Sequence, residues 1–353
     1  MTRRDLFSRL AFGLTFLPSL GFAPRALLWS LLFEPDASLV PAKPLPPNPF
    51  TRDGKSLVVM IHGQDPTTML AEGMALLGGI TPLSLFGKQV LIKPNVLNNR
   101  PPPSTTSPAL ITAVVQLMQE AGGLVTVADS SGMLRFPTSE NLTETGVRRA
   151  AQSAGAHVLA LEEHPWVRVE PPLAVASRSY LVSQPVYDAD IFLNLPVVKT
   201  HQFAHYSCSL KNLVGIVHPR DRPSIRFLSG QWHERIAELN LAVHPHLTIA
   251  DATTMMIAGG PTSGTPAQAN VLLFSGDRVA LDAVAVALIR SYGAWPKVQG
   301  KTVWAQRQIK RAGELGLGVK GPNQMELLVR SLEPQDDEFA RRAETVRRDI
   351  ESV

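Results

Sequence analysis

The sequence predicts an α/β fold: a mainly parallel open sheet, helices on both faces, and a site along the C-terminal edge of the strands. Three observations carry that expectation. Short apolar, β-branched runs at 56–62, 89–93 and 124–128 alternate with helical stretches, and their spacing is that of right-handed strand–helix–strand units. Several such runs end in polar groups: Lys93 and Asn95, Asp129 and Ser130, Asn194 and Lys199, and Asp251. The chain has 353 residues, 44% hydrophobic and 18% charged, enough to bury a sizeable core and too apolar for global disorder.

In chain order, residues 1–33 place Arg3 and Arg4 ahead of an apolar run at 10–22. A twin arginine before an apolar stretch is the form of a Tat export signal, which implies the Tat translocase as a partner and a periplasmic or other extracytoplasmic destination. Gly21-Phe-Ala23 before Pro24 is a poor cleavage site, and a second apolar run follows at 27–33, so an uncleaved inner-membrane anchor is the alternative. Residues 34–55 form a linker or strap, with five prolines between 41 and 49. The α/β domain is expected over 56–330, followed by a charged surface helix at 331–353, where Glu344 precedes Arg348 by four.

Within the domain, helices are expected at 66–77 and 108–121, the second opened by Ser107 and Pro108 as N-cap and first turn. A helix at 145–154 follows, then short strands at 157–161, 166–170 and 179–183, and a buried strand at 191–193. Past a helix at 231–241, a strand at 246–250 ends in Asp251. A glycine-rich loop at 253–269 then leads to a strand at 270–274 and helices at 277–292 and 303–313.

The polar strand ends meet on one edge if the strands are parallel, and such edges bind ligands. Their chemistry suits an anion. Lys93, Lys199 and Lys211 supply cations, while Thr105, Thr106 and Ser107 offer hydroxyls and N–H groups at a helix start. Asn194 and Asn212 add amides, and Gly260 lets backbone approach a ligand. His201 is the candidate acid–base group, with Asp129 or Asp251 to orient it. His201 and His205 are four apart, the spacing of paired metal ligands on a helix, but residue 202 is Gln and the zinc-protease motif is absent, so neither is taken as a ligand.

Other chemistries are excluded. Gly259 to Gly264 is neither a Walker loop nor a dinucleotide fingerprint, and Asp129-Ser-Ser-Gly132 lacks the serine-hydrolase elbow. The single cysteine, Cys208, closes no internal disulfide and holds no iron–sulfur cluster; it is read as a small buried residue. The formal net charge is +4, but Arg3, Arg4, Arg9 and Arg25 against Asp5 supply +3 of it, leaving +1 for the rest, so no nucleic-acid partner is expected.

Val90-Leu-Ile-Lys-Pro-Asn95, Asp129-Ser-Ser-Gly132, Asn194-Leu-Pro-Val-Val-Lys-Thr-His201, Leu210-Lys-Asn-Leu-Val-Gly215, Leu247-Thr-Ile-Ala-Asp251 with Gly259-Gly-Pro261, and Asp277-Arg-Val-Ala-Leu-Asp282 occur in this order. Together they resemble the domain of unknown function 362 family. The resemblance implies the α/β fold and the site's location but no reaction. Many members carry a ferredoxin-like cysteine domain; here, with Cys208 alone, electron transfer would need a separate redox partner or a non-cysteine cofactor, whose identity stays open. The sequence thus supports an exported enzyme or cofactor-dependent protein acting on a small anionic ligand. The alternatives are a non-catalytic periplasmic anion- or cofactor-binding protein and an accessory subunit of a membrane redox complex.

Overall fold

The computed structural model describes residues 35–132, 135–222, 230–334 and 336–352. The export segment or anchor expected at 1–33 lies outside the described residues. The chain divides into two compact units, Met1–Asp36 and Ala37–Val353, and the second holds the sheet and the candidate site. Among the described residues no helix is long and apolar enough to cross a membrane.

The central sheet is built on β1 (Lys55–His62), β2 (Gln89–Pro94), β3 (Leu124–Asp129), β4 (His157–Ala160), β5 (Ile191–Leu195), β6 (Val197–His201), β7 (His205–Ser207), β8 (Leu247–Gly259), β9 (Gly264–Ser275) and β10 (Met325–Ser331). Its main path runs β10–β1–β9–β8–β5–β2–β3–β4. Every neighbouring pair on that path is parallel except the two made by β9, so the expected mainly parallel sheet is what forms. Alternation in β1 shows why both faces carry helices. Leu57, Val59 and Ile61 pack with α1 (Pro66–Leu77) and α2 (Pro108–Glu120). Val58 and Met60 point the other way, onto α3 (Arg278–Arg290), whose residues Arg278 to Ile289 are all buried.

Four differences from the expected pattern bear on the site. The stretch at 253–269 is no loop: β8 and β9 form one long hairpin, in which Thr254 pairs with Gln268 and Met256 with Pro266. Thr253, Thr254, Ile257 and Thr265 favour extended backbone, which outweighs the glycines nearby. His201 and His205 do not share a helix face; they oppose each other across the tight β6–β7 hairpin, with His205 at φ 67°. Ser107 makes no capping bond with its side chain. Strand β10, not anticipated, joins the sheet in parallel beside β1.

The charged helix Asp337–Glu351 lies on the outside, but it buries Phe339, Ala343, Val346 and Ile350 against the α3 core. That spacing is an apolar stripe among charges. The proline-rich segment is a strap held to the domain: Lys43 donates its N–H to the Ala242 carbonyl (3.0 Å), and the Tyr187 hydroxyl donates to the Pro41 carbonyl (2.8 Å).

Candidate functional site

The parallel register of β2 and β5 sets Lys93 beside Asn194, and β3 brings Asp129 to the same edge. Lys93 Nζ lies 2.5 Å from Asp129 Oδ1, and both side chains are buried. The carboxylate also accepts from the N–H of Val96 (2.6 Å) and of Ser130 (2.8 Å). Burial pushes the Lys93 ammonium below its ordinary range and the Asp129 carboxyl above its own, while their mutual attraction opposes both shifts. The pair is roofed by Gly215, where a Cβ would come within 2.7 Å of both Lys93 Nζ and Asp129 Oδ1.

Above this pair opens a cavity of about 300 Å³. Strand β6 lines it with Lys199 and His201, which share one face because side chains alternate along a strand. Register slips between β6 and β8: Val197 pairs with Asp251, but Lys199 pairs with Met256. Such bulges bend a strand and re-aim its side chains. Lys199 is 1% exposed and donates to Asn95 Oδ1 and, at 3.0 Å, to the Ser104 carbonyl. Burial first, and then the neighbouring Lys211, bring its pKa down to about 7. His201 Nδ1 accepts the N–H groups of Phe203 and Ala204, both at 3.1 Å. An acceptor Nδ1 fixes the neutral ring as the Nε2–H tautomer.

The opposite wall comes from the short helix Ser209–Asn212 and the turn after it. Lys211 Nζ sits 5.5 Å from the centre of the Trp232 ring, a cation–π contact. Asn212 donates to the carbonyl of Pro94 (3.3 Å) and to Asn194 Oδ1 (2.8 Å). From α3, Asp282 accepts from the N–H of Ser209 (2.7 Å) and of Leu210 (3.3 Å) and from the Tyr206 hydroxyl (3.1 Å). Burial nevertheless pushes Asp282 up to about 7. The neighbouring thiol of Cys208 is buried and shifted well upward, as befits an inert packing residue.

Of the residues singled out by sequence, Lys93, Asn95, Asp129, Ser130, Lys199, His201, Lys211 and Asn212 line the cavity. Five others stand behind it. Asp251 accepts from the Ser107 N–H (2.8 Å) and from the N–H and hydroxyl of Thr253, so it anchors the start of α2. Thr106 accepts from the Asn95 N–H (2.8 Å) and donates to the Leu195 carbonyl (2.7 Å). Thr105 is buried in a bridge to Val96. Asn194 donates to the carbonyl and hydroxyl of Ser209, both at 3.1 Å. Gly260, at φ 76°, turns the β8–β9 hairpin so close that a Cβ would lie 2.0 Å from the Thr200 carbonyl; the next residue, Pro261, reaches the cavity.

Sequence reasoning missed Arg222, Arg135 and Trp232 on the wall. Arg222 is fully buried and donates to the carbonyls of Val217 (2.8 Å) and Ser131 and to the Ser130 hydroxyl (2.7 Å). Burial brings its guanidinium down to about 10. It lies in an irregular turn, so no periodicity marked it. Among the described residues no group of three or more His, Cys, Asp or Glu could hold a metal ion.

The profile of the family described as domain of unknown function (DUF362) matches residues 90–287, which is more than half of the chain and includes the whole edge from Lys93 to Asp282. The chain is similar to thylakoid-associated protein sll1697 of Synechocystis sp., with 30% identity over 218 residues, spanning 59% of this chain and 65% of that protein, just under two thirds of its length. Among solved structures, the lactate racemase apoprotein from Thermoanaerobacterium thermosaccharolyticum superposes with a TM-score of 0.40 and 8% identity, covering 80% of this chain and 85% of that one. A likeness that distant carries no inference about function.

Proposed function

The chain belongs to the DUF362 family, and from that premise we propose that its edge cavity binds a small carboxylate or phosphate and acts on it as an enzyme. One observation carries the reading: besides the buried amine of Lys199, the described wall holds four cations, Lys93, Arg135, Lys211 and Arg222, against one carboxylate, Asp129, which is already engaged by Lys93. A cavity with that balance attracts negative charge. The enzymatic side rests on Lys199. A buried amine with a pKa of about 7 is suited to exchange protons near neutrality, a capacity beyond holding an anion. His201, held as the Nε2–H tautomer two residues along the same strand face, supplies a second proton-bearing group.

The test is a melting-temperature screen of the purified full chain against phosphate, oxalate, pyruvate and lactate, followed by calorimetry on any hit. A ligand at a hundredfold its Kd stabilises by about 2.7 kcal/mol, well above detection. Lys211→Ala and Arg222→Met are expected to weaken binding at least tenfold. If none of these anions shifts the melting curve, or if both variants bind like the wild type, the reading fails.

We further propose that the protein acts outside the cytoplasm, exported in folded form through a twin-arginine route. Arg3 and Arg4 ahead of the apolar run at 10–22 support it.

A further inference from the structure

We propose that Lys199 is a nucleophilic amine that forms an imine with the carbonyl group of a small anionic aldehyde or ketone held in the edge cavity. The inference rests on the anion-binding reading and adds a carbonyl to the ligand's description. Its basis is the hydrogen bonding of Nζ. A neutral amine has two N–H donors and one lone pair. Here two acceptors, Asn95 Oδ1 and the Ser104 carbonyl, take both donors, and Lys199 lines the cavity. In the neutral form the position left on nitrogen is the lone pair, which is the nucleophile.

Electrostatics favours the neutral form. Lys199 is buried, and Lys93 and Lys211 act on it as like charges that oppose protonation. Asp129 would oppose this, but its charge is satisfied by Lys93 Nζ and by the N–H groups of Val96 and Ser130. Lys93 is a poorer candidate because its nitrogen is tied to that carboxylate and to the Pro94 carbonyl at 3.0 Å. Lys211 is half-buried against the Trp232 ring and is suited to face the ligand's anionic group.

The step balances without a redox partner. The Lys199 lone pair forms a C–N bond to the carbonyl carbon, and one of the two amine N–H protons passes to the carbonyl oxygen to give a neutral carbinolamine. The C–O bond then breaks, oxygen departs as water with a second proton, and a protonated imine remains. That second proton comes from solvent; His201 Nε2–H, on the same strand face, is suited to hydrogen-bond the departing oxygen.

The experiment treats the full chain with glyoxylate or pyruvate plus sodium cyanoborohydride, then maps modified lysines by peptide mass spectrometry. Lactate and phosphate serve as anions without a reactive carbonyl in parallel melting measurements. The expected result is one dominant reduced adduct at Lys199, formed at least tenfold faster than at any other lysine and slowed by competing phosphate. Lys199→Arg should abolish it; because mapping is done on the wild type, the outcome does not depend on that variant folding. Adducts scattered over surface lysines, or none at Lys199, overturn the proposal. If lactate or phosphate still raises the melting temperature in that case, the anion-binding reading survives; if neither binds, both fall.

Discussion

At the residue scale, the site is a contest between desolvation and charge pairing. Lys199 makes the clearest prediction. Its pKa is about 7 in the folded chain, against an ordinary value of 10.5, so between those limits the unfolded chain holds more protons than the folded one. Stability therefore rises with pH across that window, at up to about 1.4 kcal/mol per pH unit. Lys199→Met removes this rise. Urea denaturation at pH 7 and pH 9.5 should show the wild type gaining on the variant, and parallel pH curves would refute the depressed lysine. Gly215→Ala is predicted to destabilise by about 2–4 kcal/mol, because its Cβ would crowd the buried Lys93–Asp129 pair from 2.7 Å. A shift in urea midpoint at constant slope reads the loss; a neutral substitution would mean that the pair can yield. Sequence made the lysines visible, since a cation at the end of an apolar run is conspicuous. It could not show that Asp251 serves the start of α2 rather than the cavity, because that depends on a Ser107 N–H far away in the chain. Arg222 was invisible for the same reason: its partners, Ser130 and Ser131, belong to another strand end.

At the element scale, periodicity located most strands and helices, and the polar strand ends pointed to the edge where the cavity opens. The β8–β9 hairpin was the main loss. Glycines at 259, 260 and 264 read as a loop, yet they are the tight turn and flanks of a ladder whose pairs run from Thr248–Ser275 to Gly259–Gly264. The turn matters because it sets Pro261 and Thr262 on the cavity wall. Gly260→Ala would both occupy a left-handed backbone position and strike the Thr200 carbonyl. The hairpin tip should swing away from β6, at a cost of about 1–3 kcal/mol. Anion affinity is expected to fall about tenfold, as a lost wall contact of about 1.4 kcal/mol would give. Calorimetry with whichever anion stabilises the wild type measures it, and unchanged affinity would remove the hairpin tip from the site.

At the scale of the whole molecule, the fold is closed by contacts between distant parts of the chain. Strand β10 at 325–331 pairs in parallel with β1 at 55–62, and helix Asp337–Glu351 covers α3 with Phe339, Ala343, Val346 and Ile350. Charge density made that helix look like a purely surface element, since its apolar residues are few; their spacing, not their number, buries them. This bears directly on the export proposed above. The α3 core cannot be complete until residue 350 has been made, so a folded cargo can leave only after synthesis. A twin-arginine route accepts such a cargo, whereas threading an unfolded chain would not need the core closed. Replacing Arg3 and Arg4 with lysine should therefore leave folded, protease-resistant protein inside the cell, while the wild type appears outside the inner membrane. Val346→Asp, which places a charge in a fully buried position, should block export as well, by spoiling the fold rather than the signal. Cell fractionation with limited proteolysis separates the two effects. Export of the Val346→Asp chain at the wild-type level, or normal export of the lysine pair, would rule out transport in the folded state.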